Sequence, residues 1–313
     1  MIFSAKSNYP LYICILMKVL VIILNYFGAP WIEKVSGALR SAEQELRDQR
    51  LIEHLDLYIF NNAPEEDRGW MAWQQLWPLA VIESNPKNIG FAEGNNAGFR
   101  YALEHGYDYV YLLNQDAWPC PGMLTQLLGA MKRSPGYAVL SPLQMSGDGE
   151  HYDPAFARDV LPKGRPDPLG TVHQVPRVMA AHWLVSCEAL RKVGLFEPLL
   201  PLYGQDDNWC DRAACHGYKI GYITAARGIH DRAGRREPKD KLIYRNYYMG
   251  SLVRLLDIRR PLWERRLYVL LFTLVKTLKY GSLQPLKYHR SLRRQMKEVR
   301  AARETTRKPA AYV

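Results

Sequence analysis

After Lys18 the chain runs Val-Leu-Val-Ile-Ile-Leu to Leu24, a β-branched and apolar run that ends abruptly at Asn25-Tyr26-Phe27-Gly28. Such a run predicts a strand buried on both faces, as in a parallel sheet. Helical spacing follows from about Trp31 to Arg50. Short strands are expected at Leu55 to Phe60, closing on Asn61-Asn62-Ala63-Pro64, and at Ala80 to Glu83, before an Asn- and Gly-rich stretch over 85–98. A helix near Asn96 to His105 and a strand from Tyr109 to Leu113 lead into Asn114-Gln115-Asp116. A helix from Met123 to Lys132 and a strand from Ala138 to Ser141 come next. The Gly-, Pro- and Asp-rich segment 146–170 reads as a surface loop. Val178 to Ser186 is expected as a strand, with a helix to Val193, a helix from the Gln205 region through His216, and a strand from Lys219 to Thr224. From Lys241 onward the spacing is helical. Strand, loop and helix alternate, which predicts an α/β fold: a parallel sheet covered by helices, with ligands beyond the carboxyl ends of its strands.

That framework narrows the chemistry. No G-x-G-x-x-G follows the first strand and no G-x-x-x-x-G-K-[ST] occurs, so a dinucleotide fold or a P-loop NTPase would lack its phosphate cradle. At 313 residues and 48% hydrophobic, the chain can bury a large core. Its net charge of +11 is unevenly placed. Residues 233–313 hold 21 Lys and Arg against 6 Asp and Glu, whereas the body is slightly acidic. A basic tail suits an anionic partner, either a membrane surface or a nucleic acid. The tail lacks the interleaved exposed aromatics of a nucleic-acid binder, so no nucleic acid is expected.

The 5 cysteines are odd in number and include no C-x-x-C, which predicts reduced thiols in a cytoplasmic protein rather than a disulfide framework or zinc site. Residues 11–24 are apolar apart from Lys18, but shorter than the roughly 20 residues of a spanning helix. Met17 is then a plausible start, with residues 1–16 an upstream extension.

Each strand end carries polar chemistry. Asp116 can coordinate a hard divalent ion that also touches phosphate oxygens. Asn88, Asn95 and Asn96 offer uncharged donors and acceptors, and Gly90, Gly94 and Gly98 allow close backbone approach. Gln205-Asp206-Asp207-Asn208 places carboxylates at a helix start, where the macrodipole favours their ionised form. One of them can accept a proton from a hydroxyl. His230 offers an imidazole to a metal.

Taken in order, Leu24-Asn25-Tyr26, Phe60-Asn61-Asn62-Ala63, Asn88 through Gly98, Leu113-Asn114-Gln115-Asp116, Gln205-Asp206-Asp207-Asn208 with Arg212 and Gly217-Tyr218, and His230 resemble family 2 glycosyltransferases, in particular their rhamnosyltransferase-like branch. The resemblance spans about 18–248. It implies a GT-A fold, a Rossmann-like mixed sheet with helices on both faces, followed here by a basic helical tail. Residues 17–120 would form the nucleotide-sugar half, 121–232 the acceptor half and 233–313 the tail.

The resemblance also implies an inverting transfer with Mg²⁺ or Mn²⁺ as cofactor. Asn25, Tyr26, Asn61 and Asn62 would surround the donor base, with Asn88, Gly90, Asn95 and Asn114 near the nucleotide. Asp116 and His230 would hold the metal, and Asp206 would be the general base. Asn61 and Asn114 stand where many members carry Asp, and Gln205 and Asn208 depart from an E-D-x-D pattern. The implied donor is dTDP-rhamnose, with galactofuranosyl, glucosyl or other hexosyl transfer as alternatives. The acceptor would be a glycan or a polyprenyl-linked sugar in cell-surface polysaccharide synthesis. A non-catalytic sugar-nucleotide- or glycan-binding protein is the rival reading, favoured by Gln205 and Asn208 and opposed by Asp116, Asp206 and His230.

In the tail, Trp263, Leu267, Leu270, Leu271, Leu274 and Leu278 share one helix face, flanked by Arg265, Arg266, Lys276 and Lys279. Too short to span a bilayer, this segment is expected either to lie on an anionic membrane surface or to pack against the body or a second subunit.

Overall fold

The computed structural model describes residues 16–64, 67–232 and 239–309; nearly all of the expected upstream extension lies outside them. Strand β1 (Met17–Asn25) is the axis of the sheet, with Val19 through Ile23 wholly buried. Parallel neighbours β2 (Ile52–Asn61) and β4 (Tyr109–Asn114) flank it, and β3 (Val81–Ser84) extends the sheet beyond β2. On the other side the sheet becomes mixed. Strand β9 (His182–Ser186) runs antiparallel between β4 and β6 (Tyr137–Met145), and β10 (Lys219–His230) lies parallel to β6. The hairpin β7 (Arg165–Pro166) and β8 (His173–Val175) closes that edge, and β5 (Ala117–Pro119) pairs with the end of β10. The order is β3-β2-β1-β4-β9-β6-β10-β8-β7.

Helices α1 (Ile32–Asp48), α2 (Met71–Leu76), α3 (Gly90–Glu104), α4 (Met123–Arg133), α5 (Pro154–Asp159), α6 (Cys187–Val193) and α7 (Gln205–Cys215) cover the sheet. Helix α1 buries Ile32, Val35, Leu39, Ala42 and Leu46 at spacings of three and four, the stripe a core-facing helix needs.

Several elements differ from the sequence-based expectation, three of them near the strand ends. Helix α3 begins at Gly90 rather than near Asn96, so most of the amide-rich stretch is helical despite poor helix propensity. Packing decides it: a Cβ at Gly94 would lie 2.3 Å from Leu24 Cδ1, and one at Gly98 2.8 Å from Ile22 Cδ1. Those two glycines let helix meet sheet, rather than backbone meet ligand. The 146–170 segment is not simply a surface loop, because α5 buries Phe156 and its N-cap Asp153 accepts from Ala155 N and Phe156 N at 2.8 and 3.0 Å. Strand β10 passes an irregularity between Ile223 and Arg227 and continues to His230.

The tail is helical, as its spacing predicts: α8 (Lys239–Ile243), a π-helical turn over Tyr244–Met249, α9 (Gly250–Leu256), α10 (Leu262–Tyr280), α11 (Gln284–Arg294) and α12 (Met296–Thr306). It has its own core, including Leu200, Tyr247, Leu252, Leu256, Val269, Leu292 and Val299. Arg303 knits it together, donating to the carbonyls of Leu255 and Arg260 at 2.8 and 2.6 Å. Arg259 reaches Asp211 of α7 at 2.7 Å, and His216 Nε2 lies 3.0 Å from the Thr306 carbonyl, so the tail is fastened to the α/β body.

Candidate active site

At the carboxyl ends of β1, β2 and β3 the predicted nucleotide residues form a chain of amides that runs from buried Asn25, Asn61 and Asn62 to exposed Asn88. Asn25 Nδ2 donates to Asn61 Oδ1 at 2.9 Å, and Asn61 Nδ2 to Ser84 Oγ at 3.1 Å. Asn62 Nδ2 donates to Asn88 Oδ1 at 3.0 Å, while Asn62 Oδ1 accepts from Ile89 N and Asn88 Oδ1 from Gly90 N, each at 2.9 Å. Gly90 needs its freedom, with φ +89° and a Cβ position 2.7 Å from the Pro201 carbonyl. Asn95 donates to the Phe91 carbonyl at 2.8 Å, and Asn96 clamps the Phe196 backbone through both its polar atoms. The amides therefore fix the loops to one another. Exposed surface at this edge comes from Tyr26 and Phe27, whose rings meet edge to face with centroids 4.8 Å apart. Gln115 holds the Tyr26 backbone from both sides, accepting from N at 2.6 Å and donating to O at 2.8 Å.

The ends of β4 and β10 bring together Asn114, Asp116 and His230. His230 Nε2 lies 3.7 Å from Asp116 Oδ1, 3.4 Å from Asn114 Nδ2 and 3.2 Å from the donor Arg232 Nε. Asn114, assigned to the nucleotide from sequence, thus stands beside His230, the histidine expected at the metal. On the other side His230 Nδ1 is 3.5 Å from Asp153 Oδ2. The imidazole thus sits between two carboxylates, Asp116 on the Nε2 side and Asp153 on the Nδ1 side. Asp153 and Arg232 are neighbours of His230 that the sequence did not single out. Asp153 lay in a stretch whose turn residues masked its burial.

Asp206 and Asp207 open on a separate cleft of about 390 Å³, lined also by Asp159, Lys163, Arg177 and Met179. Asp206 Oδ1 accepts from Asp207 N at 2.9 Å and Oδ2 from Ala180 N at 3.3 Å. Burial raises its pKa, against the pull of those N–H groups and of Arg177. Burial and the adjacent Asp206 charge push Asp207 up to about 6, with Arg177, 3.4 Å away, opposing the shift. Asp211 has a different role: fully buried, it is bridged by Arg177 Nε at 2.9 Å and by Arg259. Asn208 is likewise internal, accepting at 3.0 Å from Arg212, whose guanidinium also holds the Val193 carbonyl at 2.6 Å.

The two sites are adjacent. Segment 178–181 runs between them: Ala180 N–H donates to Asp206, and the next residue, Ala181, accepts from Asn114 N at 3.1 Å. The sequence offered no signal for this link, since these residues are apolar and were assigned to a strand that begins only at His182.

Solved structures share this architecture. A mannosyltransferase from Pyrobaculum calidifontis, in complex with GDP-Man and Mn²⁺, superposes with a TM-score of 0.55 at 16% identity, over 93% of this chain and 84% of that one. Residues 1–349 of TarS from S. aureus give 0.56 at 11%, over 80% and 68%. The likeness fixes the fold as GT-A. By sequence, a low-salt glycan biosynthesis hexosyltransferase of Haloferax volcanii is 23% identical over 206 residues, 62% of this chain and 62% of its own length. The chain thus spans somewhat less than two thirds of that relative. The model of glycosyl transferase family 2 matches residues 21–194, more than half of the sequence, and the chain belongs to that family.

Proposed function

We propose that this protein is an inverting hexosyltransferase that moves a sugar from a nucleotide donor to a hydroxyl of a glycan or lipid-linked acceptor in cell-surface polysaccharide synthesis, on the inner face of the cell membrane. The observation that carries the reading is the junction at Ala180 and Ala181, which places the Asp116–His230 edge and the Asp206 cleft side by side. A transferase needs two substrates held in contact, and these are two sites of different chemistry sharing a wall.

The residues at the strand ends fit a divalent ion. Mg²⁺ and Mn²⁺ are typically held by one or two protein ligands together with substrate phosphates. Asp116 Oδ1 and His230 Nε2 supply such a pair, with Asp153 orienting the imidazole from behind. Among the described residues no group of three or more His, Cys, Asp or Glu is arranged to hold a metal ion by itself. When bound, the ion neutralises charge on the departing nucleoside diphosphate.

The chain's own groups do the rest. Tyr26 and Phe27 offer a face for the base, while the Asn25–Asn61 and Asn62–Asn88 pairs hold the loops around it. Asp206, its basicity raised by burial and its carboxylate held by two backbone N–H groups, takes the proton of the acceptor hydroxyl as its oxygen attacks the anomeric carbon from the opposite face. The nucleotide leaves with the bonding pair, and configuration inverts. No second carboxylic acid is required once the leaving group is already stabilised.

The implied donor is dTDP-rhamnose, by resemblance to the rhamnosyltransferase-like branch. The Haloferax hexosyltransferase and the GDP-Man complex of the Pyrobaculum mannosyltransferase keep other hexosyl donors in the test. Purified protein incubated with dTDP-rhamnose, UDP-galactofuranose, UDP-glucose and GDP-mannose, with Mg²⁺ or Mn²⁺, is scored by release of nucleoside diphosphate. Metal-dependent release from one donor is expected. Binding of a nucleotide sugar without turnover on any glycan acceptor would mean a binding protein instead.

A further inference from the structure

The apolar stripe in the tail faces outward. On α10, Val269, Phe272 and Thr273 turn inward, with Phe272 stacked on Tyr247 and Thr273 Oγ1 2.7 Å from the Tyr247 hydroxyl. At about 100° per residue, Trp263, Leu267, Leu270, Leu271, Leu274 and Leu278 fall within roughly 100° of arc on the opposite side. Each is exposed, from 46% at Leu270 to 83% at Leu278, and Leu283 beyond the helix end adds 67%. The inward face has already secured the tail to its own core, so the outward face does not serve folding. Monomeric proteins rarely leave so continuous an apolar strip in water.

Charge decides what covers it. A groove of about 300 Å³ between α10 and α11 is lined by Trp263, Leu267, Leu270 and Leu292, with Arg266 and Arg293 among its walls. Further cations, Arg290, Arg294, Lys297 and Arg300, stand exposed on α11 and α12. A second copy docked face to face would set two such basic regions against each other, which like-charge repulsion disfavours. A bilayer carrying acidic lipids offers both halves of the complement: hydrocarbon for the leucines and phosphates for the arginines. No helix among the described residues is long and apolar enough to cross a membrane.

We propose that α10 lies in the plane of an anionic membrane surface, its Trp263–Leu278 face inserted at the headgroup boundary and the cations of α11 and α12 on lipid phosphates. This deepens the proposed reading by naming the surface that holds the enzyme at a lipid-linked acceptor. The orientation has a functional consequence through α9, where Leu255 lines the groove while its neighbour Arg254 acts electrostatically on Asp207 of the acceptor cleft. One helix separates membrane groove from acceptor site.

The test uses the full chain and vesicles of phosphatidylcholine, alone or mixed with phosphatidylglycerol, in a sedimentation assay at low and high salt. Wild-type protein is expected to bind the mixed vesicles, to lose most binding in high salt and to bind phosphatidylcholine weakly. The double variant Leu271→Glu/Leu274→Glu alters two exposed positions and is expected to fold normally by circular dichroism, yet to bind mixed vesicles about tenfold or more weakly. Unchanged vesicle binding by the variant would overturn the proposal, as would equal binding of wild-type protein to both lipids. So would a wild-type dimer in light scattering that the double variant splits, since the face would then belong to a second copy. Wild-type protein and the variant should bind nucleoside diphosphate equally; failure of the wild-type protein to bind any would count against the transferase reading and leave the membrane result standing, whereas loss in the variant alone would overturn the proposal, since the face would then serve folding.

Discussion

The proposed donor edge and the proposed acceptor cleft meet at Ala180 and Ala181 but are built from opposite materials. Around Asn25, Asn61, Asn62 and Asn88 the polar groups are neutral amides paired with one another, the first three buried and Asn88 exposed. Around Asp206 and Asp207 they are carboxylates facing a cleft, with burial and mutual repulsion raising their pKa values. Neutral amides hold a shape over a wide pH range, because nothing in them titrates. Paired carboxylates are poised to exchange a proton. The amide edge proposed for the base thus carries no titrating group, whereas the cleft proposed for the acceptor is ionisable.

The strongest challenge to this division is Asp206→Asn, which keeps the shape and removes the basicity. Positioned bases contribute about 10²- to 10⁴-fold, so turnover should fall by that factor, against less than about tenfold for Asp207→Asn. A steady-state assay of the two variants decides between them, and a deeper loss at Asp207 would reverse their roles. A milder effect is expected behind the metal site. Asp153→Asn should raise the Mn²⁺ concentration needed for half-maximal rate by about 10- to 100-fold while leaving the rate at saturating metal near wild type; an unchanged requirement would remove Asp153 from the site.

The contrast in titration has its own readout. Asp206 acts only when ionised, and burial raises its pKa, so the rate should fall with decreasing pH at a point above the usual carboxylate range. Removing the neighbouring negative charge in Asp207→Asn favours ionised Asp206 and should move the acid limb to lower pH. A limb that stays in place means the two carboxylates do not interact. Smallest for catalysis is Asp211→Asn, which loosens the bridges to Arg177 and Arg259. It should cost about 1.5–3 kcal/mol in denaturant unfolding while the folded protein keeps its turnover.

How much of this was legible in the sequence depended on whether the signal was local. The run from Val19 to Leu24 could hardly be anything but a buried strand, and α1, α4 and α7 announced themselves by spacing. The start of α3 did not, because Gly94 and Gly98 are poor helix formers chosen for contact with Leu24 and Ile22, which lie far away in sequence. Asp116, His230 and Asp206 were visible as polar residues at strand and helix ends. Asp153 was not, since its value lies in a contact with His230 and its neighbours are ordinary turn formers. The outward leucines of α10 show the same limit: the stripe was plain in the sequence, but the side it faced was settled by what Val269 and Thr273 pack against.

The division of labour between the two regions is tested most directly by calorimetric titration of Asp206→Asn and Asp116→Ala with UDP, dTDP and GDP in the presence of Mn²⁺. The nucleotide that binds wild-type protein should bind Asp206→Asn with affinity unchanged within about twofold, although that variant has lost its turnover, because the base touches the acceptor. Asp116→Ala should bind it far more weakly. Equal loss of nucleotide binding in both variants would contradict the account, since Asp206 would then belong to the donor site.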